Sequence, residues 1–154
     1  GPHVPSLGFG LGTGRLLMLL EAQGIELPAP SGCELYIAPM GEDASVKAMS
    51  IVADLRAGGI SAQTDVVGRS LKAQMKYADK IGAKYTMVLG DDEIAKGEAV
   101  IKDMDSGETE TLSLDGLEDS FMQLMLRRES DALRETLTDG LSDELGGIDI
   151  TALL

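Results

Sequence analysis

The sequence of 154 residues lacks tryptophan, and aromatic residues make up only 3% of it. Aliphatic residues and eight methionines must therefore fill the core, and an aromatic surface for stacking single-stranded bases is not expected. The single cysteine, Cys33, cannot form an internal disulfide, and Cys/His pairs at zinc spacing are missing. No run approaches the roughly 18 apolar residues of a membrane span, and no secretory signal opens the chain. These absences favour a cytoplasmic protein without membrane or metal binding.

Positive charge is also scarce: the sequence has 13 Lys and Arg residues against 26 Asp and Glu residues, which gives a net charge of -13. Such an excess argues against a general nucleic-acid binder and against DNA as a partner, since phosphate contacts need positive potential. The charges are nevertheless uneven. Acids crowd residues 91 to 144, while cations cluster between residues 69 and 84. A local basic surface on an acidic protein is therefore compatible with binding to one kind of RNA.

The first 32 residues predict an arm and a linker. The chain begins with Gly1 rather than methionine, which indicates processing or a fragment. Residues 8–15 (GFGLGTGR) alternate glycine with apolar residues, a pattern typical of a strand that something approaches closely. A helix follows and ends at Gly24. Residues 25–32 (IELPAPSG) read as a linker, because they combine two prolines with serine and glycine.

Residues 33–138 predict one α/β domain, followed by a tail over residues 139–154. Strands are expected at 33–39, 60–66 and 84–90, with helices at 43–57 and 70–81 between them. A hairpin of two strands follows at 98–104 and 108–114, and then a helix from 115 to about 137. This order predicts a three-layer α/β sandwich with a mixed, mainly parallel five-stranded sheet.

Apolar residues predict which side of each helix packs on the sheet. The first helix of the domain is expected to bury Val46, Met49, Ala53 and Leu55. The second is expected to bury Leu71, Met75, Ala78 and Ile81, and the last Phe121, Leu124, Met125 and Leu133. The tail is either loose or docked through Ile148, Ile150, Leu153 and Leu154.

One helix carries a row of cations, at Arg69, Lys72, Lys76 and Lys80. Their spacing of three, four and four residues puts them on one face, and no acid interrupts them before Asp79. The row begins at the carboxyl end of a predicted parallel strand, where ligands bind in such folds. There Gly68 permits a tight turn, and Ser70 is a good N-cap beside free N–H groups that attract anions. The row is therefore either an anion-binding surface or an ordinary solvated face.

Residues 68–97 (GRSLKAQMKYADKIGAKYTMVLGDDEIAKG) closely resemble the anticodon-binding domain of bacterial histidyl-tRNA synthetases. Upstream, GFGLGTGRLLMLLE resembles motif 3 of class II synthetases, in which a glycine-rich strand leads to an arginine and a helix. The resemblance covers about residues 8–127 and is most specific over 66–97. The sequence departs from the family at Gly14, where an acidic residue is usual. Motifs 1 and 2 are missing from this chain, and its tail matches nothing familiar.

The resemblance implies a parent enzyme that is a homodimeric histidine–tRNA ligase using ATP and Mg²⁺. Residues 1–24 would be a remnant of its catalytic domain, and Arg15 would correspond to the motif 3 arginine that contacts ATP phosphates. This chain alone, without that domain, is expected to be neither catalytic nor cofactor-binding. In the parent, the partner of the remaining domain would be the anticodon loop of histidine tRNA.

The resemblance also implies which residues contact that loop. Arg69, Lys72 and Lys76 are expected at phosphates or base edges, and Gly68 and Ser70 to offer backbone and hydroxyl contacts. Weaker candidates are Gly41 and Glu42, which also fit a plain helix start, and Tyr77, which either stacks on a base or packs in the core. No metal site is expected, because Asp91, Asp92 and Glu93 fit a solvated turn, and Cys33 fits a small core position.

Two further interpretations stay open. A regulatory subunit of histidine biosynthesis that reuses a synthetase scaffold would share the fold, and Gly14 slightly favours it. The intact GRSLKAQMKYA segment argues against it, since a relative freed from RNA binding has no need to keep these cations clear of acids. A flavodoxin-like small-molecule domain would need a phosphate loop after its first strand, where this sequence has PMGEDA.

Overall fold

A computed structural model describes residues 3–26 and 32–144, with the backbone alone described at 135 and 137–144. Most of the predicted linker and the tail residues 145–154 lie outside the described residues. The chain divides into two compact units, Gly1–Ser31 and Gly32–Leu154. The elements are α1 (Thr13–Ala22), β1 (Leu35–Pro39), α2 (Glu42–Ala57), β2 (Ala62–Thr64), α3 (Leu71–Lys80), β3 (Tyr85–Leu89), α4 (Asp91–Lys96), β4 (Glu98–Asp103), β5 (Thr109–Ser113) and α5 (Leu117–Glu144).

Within residues 3–26 of the first unit, the predicted helix is the one regular element. Helix α1 begins at Thr13 and buries none of its side chains. The strand expected over residues 8–15 is wrong, because residues 3–12 are irregular and the helix already includes Arg15. A strand is stable only when a neighbouring strand accepts and donates its backbone hydrogen bonds, and residues 3–26 contain no strand that could be this neighbour.

The second unit contains the predicted mixed sheet, with strand order β2-β1-β3-β4-β5. β1 pairs in parallel with both β2 and β3, and Leu35 lies opposite Ala62 on one side and Tyr85 on the other. β4 is antiparallel to both of its neighbours, so it alone runs against the other four strands. The predicted fold class is confirmed.

The layers follow from alternating side chains along the central strand β1. Leu35 and Ile37 point into a large apolar cluster with residues of α2 and α5. Tyr36 and Ala38 point into a smaller cluster beneath α3. The sheet thus lies between α3 on one face and the pair α2 and α5 on the other. Cys33 is buried in the smaller cluster, as expected of a small core residue, and burial raises the pKa of its thiol.

The predicted apolar side of α2 is wrong except at Leu55. Val46 and Met49 are exposed, by 68% and 59%, and Ala53 is exposed as well. The buried residues are Ala44, Ala48, Ile51, Val52 and Leu55. These positions lie on one face of the helix, and the two alanines let that face approach the sheet closely. The larger Val46 and Met49 lie outside the contact.

The predicted apolar side of α5 holds for its first turns only. Phe121 and Leu124 are buried and Met125 packs against them, whereas Leu133 is 63% exposed. The helix also continues to Glu144, beyond the expected end near residue 137. Among the described side chains of α5, those that pack in the larger cluster are Leu117, Phe121, Leu124 and Met125, all within its first three turns. None of the helices in the described ranges combines the length and apolar character that crossing a membrane requires.

The contact of Phe121 with Tyr85 joins α5 to the sheet. The two rings meet edge to face with centroids 5.3 Å apart, and Phe121 is fully buried. We expect Phe121→Ala to lower the free energy of unfolding by about 3–5 kcal/mol, because it leaves a cavity in the larger core. Leu126→Ala on the exposed side of the same helix should change it by less than about 0.5 kcal/mol. Urea denaturation measures both, and equal effects would contradict this packing.

Candidate functional site

A cleft of about 460 Å³ lies where β1 and β2 end and α3 begins. It is lined by five of the predicted site residues, namely Gly41, Glu42, Gly68, Arg69 and Ser70. They meet because neighbouring parallel strands end at the same edge of the sheet. The backbone leaves this edge through glycines in the left-handed region, with φ of 108° at Gly41 and 77° at Gly68. Other residues adopt such angles only with strain.

The guanidinium of Arg69 is fixed from two sides. Its Nη1 lies 3.2 Å from Oδ1 of Asp65, and its Cζ lies 4.6 Å from the centre of the Tyr77 ring. The backbone N–H of Arg69 also donates to Oδ2 of Asp65, at 2.7 Å. The Asp65 side chain is 1% exposed, whereas that of Arg69 is 36% exposed. Arg69 is thus held in one orientation while part of it remains open to a ligand.

The sequence analysis does not identify Asp65 as a site residue, because it lies inside the predicted strand 60–66. The signal was its position four residues before Arg69, a spacing at which opposite charges often pair. Its carboxylate is a buried charge, which is tolerated only when paired and hydrogen-bonded. Asp65 meets that condition through two separate groups of Arg69.

Tyr77 packs in the smaller core cluster and supports Arg69. Its ring meets Tyr36 edge on, with centroids 6.0 Å apart. Burial raises the pKa of the Tyr36 phenol, and the nearby Asp65 carboxylate raises it further. These contacts support the packing interpretation of Tyr77, and its stacking on a base stays a prediction.

Gln74 is a second residue that the sequence did not reveal. It is 2% exposed, and its side-chain amide donates to the carbonyl of Pro39 at 2.9 Å and to that of Arg69 at 2.8 Å. Gln74 therefore joins the end of β1 to the loop before α3. Its Oε1 has no hydrogen-bond partner within the described part of the chain. The signal was a polar residue on the side of the helix that Leu71 and Ala78 turn toward the sheet.

The lysines of the cation row occupy the solvent face of α3, as the spacing predicts. Lys72, Lys76 and Lys80 are exposed, and none of them forms an ion pair with a described residue. The apolar side is confirmed, because Ala78 is buried and Leu71, Met75 and Ile81 pack around it. Ser70 occupies the N-cap position but makes no side-chain capping bond. Its hydroxyl is therefore available at the cleft.

Other predicted candidates are not among the residues that line this cleft. Arg15 is exposed on α1, in the first unit. Asp91, Asp92 and Glu93 form the first turn of α4, where the Glu93 carboxylate accepts the N–H of Gly90 at 2.9 Å. Residues 3–26 and 32–144 contain no cluster of three or more Cys, His, Asp or Glu that could hold a metal ion.

Residues 34–124 match the sequence model of the family described as Anticodon binding domain. Because this match spans more than half of the chain, the chain belongs to the anticodon-binding domain family. The relatives that it resembles are named as histidine–tRNA ligases.

The histidine–tRNA ligase of Clostridium perfringens is 53% identical over 115 residues, which are 75% of this chain and 28% of that enzyme. That of Acetivibrio thermocellus is 50% identical over 117 residues, or 76% of this chain and 28% of the enzyme. The crystal structure of apo S. aureus histidyl-tRNA synthetase is 42% identical with a TM-score of 0.58, covering 71% of this chain and 32% of that one. The chain thus spans less than a third of the length of these relatives.

These matches confirm the resemblance drawn from residues 68–97. They do not favour the regulatory subunit of histidine biosynthesis, since the similar proteins are named as ligases. The match to the anticodon-binding domain family also does not favour the flavodoxin-like interpretation.

The role of Asp65 is open to a direct test. We expect Asp65→Asn to lower the free energy of unfolding by about 1–2 kcal/mol, because it removes the charge but keeps an oxygen for the Arg69 N–H. The guanidinium N–H protons of Arg69 should then exchange faster with water, as NMR can measure. Asp54→Asn on the exposed surface of α2 is the control and should change neither quantity. Unchanged exchange in Asp65→Asn would show that Tyr77 alone holds Arg69.

Proposed function

We propose that this chain is the module of a histidine–tRNA ligase that binds the anticodon loop of histidine tRNA. The observation that carries the proposal is the meeting of Gly41, Glu42, Gly68, Arg69 and Ser70 in one cleft, in a member of the anticodon-binding domain family. The lysines of α3 begin at Lys72, directly after Leu71, which lines this cleft.

The two surfaces suit different parts of an RNA loop. RNA-binding proteins read the edges of unstacked bases with hydrogen-bonding groups, and the cleft offers the Ser70 hydroxyl and the Glu42 carboxylate. Phosphates need positive charge without strict geometry, which Lys72 and Lys76 supply from a solvated face. Arg69 lies between these surfaces, and its planar fork of donors suits either a phosphate or a base edge.

The remaining parts of the proposal concern the whole enzyme. It would charge tRNA with histidine at the expense of ATP, with Mg²⁺, as a cytoplasmic homodimer. Residues 1–24 would belong to its catalytic domain and residues 33–138 to the anticodon domain. Arg15 would lie at the ATP phosphates there, where its fixed positive charge stabilises negative charge on oxygen. No catalytic step is assigned to the described residues of this chain.

RNA binding can be tested with a histidine-tRNA anticodon stem-loop carrying GUG, measured by fluorescence anisotropy between about 50 and 200 mM salt. We expect the wild type to bind with an affinity that falls as salt rises. Lys72→Ala/Lys76→Ala should weaken binding and reduce the slope of log K against log salt by about 1.4, because each phosphate contact to a single strand contributes roughly 0.7.

The matched control is Lys96→Ala/Lys102→Ala, which removes the same charge from exposed positions outside the row. It should keep most of the affinity, and all three proteins should prefer GUG over a scrambled anticodon. Equal losses in both double variants would show a general charge effect. A wild type that fails to bind even at low salt would overturn the proposal.

A further inference from the structure

A separate cleft of about 630 Å³ lies at the edge of the sheet where β1 and β3 begin, and we call it the amino-edge cleft. Glu34 and Lys84 precede these two strands, and Asp103 lies at the end of β4, opposite Tyr85. Helix α5 lines the other side of the cleft with residues 125–132. The cleft that contains Arg69 lies where the parallel strands end, so the two clefts are at opposite ends of these strands.

Carboxylates outnumber cations in the lining of the amino-edge cleft. Its cations are Lys84 and Arg128, and its carboxylates are those of Glu34, Asp103, Glu129 and Asp131. Arg128 is already paired with Glu108, which does not line the cleft. Glu129 and Asp131 are exposed, and neither forms an ion pair with a described residue. This excess of unpaired negative charge favours a cationic ligand.

A buried hydroxyl without a partner also lines the amino-edge cleft. Tyr85 is 8% exposed, and its hydroxyl makes no hydrogen bond within the described part of the chain. The edge-to-face contact with Phe121 holds the ring in place. Burial raises the pKa of the Tyr85 phenol, and the nearby Asp103 carboxylate raises it further, so the hydroxyl keeps its proton. A buried hydroxyl without a hydrogen bond costs free energy, which a ligand that binds to it would recover.

Apolar surface lies among these charged groups. Met125 and Ala132 of α5 line the cleft together with Tyr85. An aliphatic chain with a cationic end suits such a surface, because the chain covers apolar groups while its charge stays beside carboxylates. The volume of the cleft also falls within the range of roughly 300–1,000 Å³ that is typical of small-ligand pockets.

The undescribed side chains of this chain cannot supply such a cation. They belong to residues 1–2, 27–31, 135 and 137–154, which contain no lysine, arginine or histidine. The cation must therefore be sought in a separate ligand or on another protein.

We propose that the amino-edge cleft binds an aliphatic chain that ends in an ammonium or guanidinium group. The cationic end would donate to the Tyr85 hydroxyl, with Asp103, Glu129 and Asp131 supplying negative charge around it. The aliphatic chain would cover Met125. Free diamines carry this group, and so do the lysine and arginine side chains of a partner protein. The inference goes beyond the proposed function and does not depend on RNA binding.

Two variants test this site. Tyr85→Phe removes only the hydroxyl, and because that hydroxyl has no partner in the described part of the chain, the midpoint of thermal unfolding should not fall. Glu129→Gln/Asp131→Asn removes two exposed negative charges. Its matched control is Asp54→Asn/Glu98→Gln, which removes the same charge at exposed positions that do not line the cleft.

The probes separate the two sources of the cation. Cadaverine is a linear diamine with two ammonium ends, whereas N-acetyl-arginine amide presents one side chain as a protein would. The neutral diol of the same length as cadaverine shows whether the charge is needed. Isothermal titration calorimetry at constant low ionic strength measures the affinity of each probe for the wild type and the variants.

We expect the wild type and the control to bind at least one of the two cations and not the diol. Tyr85→Phe should weaken binding about tenfold, since hydrogen bonds to charged groups are strong. Glu129→Gln/Asp131→Asn should weaken it about fivefold, as two partly solvated charge contacts are lost. Tighter binding of cadaverine would identify a free diamine as the ligand, and tighter binding of the arginine amide would identify a partner's side chain.

Three results would overturn the inference. They are a wild type that binds neither cation, undiminished binding by a folded Tyr85→Phe, and an equal loss of affinity in the two double variants. If Tyr85→Phe unfolds at a lower temperature, the two double variants decide the question. Binding of the GUG stem-loop should be the same in Tyr85→Phe as in the wild type, so this inference can fail while the proposed function holds.

Discussion

The buried carboxylate of Asp65 is the constraint on which the geometry of the cleft at the start of α3 depends. An unpaired charge in that position would cost several kcal/mol, so the loop after β2 must return Arg69 to it. Oδ2 accepts a hydrogen bond from the backbone N–H of Arg69, and Oδ1 forms an ion pair with its guanidinium. The loop is therefore closed at both the main chain and the side chain. Arg69 cannot move away from Asp65 without leaving a buried carboxylate unpaired, so its position in the cleft is fixed.

The sheet determines where this closed loop lies. β1 is buried on both faces and pairs in parallel with β2 and β3, so its carboxyl end is fixed more firmly than that of the short edge strand β2. Gln74 links the end of β1 to the loop before α3, because its side-chain amide donates to the carbonyls of both Pro39 and Arg69. The central strand β1 thus fixes the cleft at the start of α3.

Local sequence patterns predicted the elements well, because strand and helix periods depend on near neighbours. Central strands β1 and β3, the hairpin and the solvent face of α3 all follow from such patterns. The buried side of α2 did not, because Ala44 and Ala48 pack through close approach rather than through hydrophobic bulk. The prediction that Leu133 is buried is wrong, because the apolar spacing continues along α5 beyond the residues that pack on the core. Asp65 and Gln74 were missed for a related reason, since their partners become neighbours only after the strands align.

The layers of the fold also explain how an acidic chain can present one basic helix. The acids crowded into residues 91–144 lie on α4, the hairpin and α5, whereas the cations line α3. Because α3 and α5 cover opposite faces of the sheet, the two signs of charge are separated by the thickness of the domain. An approaching polyanion is repelled by most of the surface and attracted by one helix, so it arrives already oriented. Under the proposed function, this arrangement would confine an RNA loop to the α3 face of the domain, which a uniformly basic surface would not do.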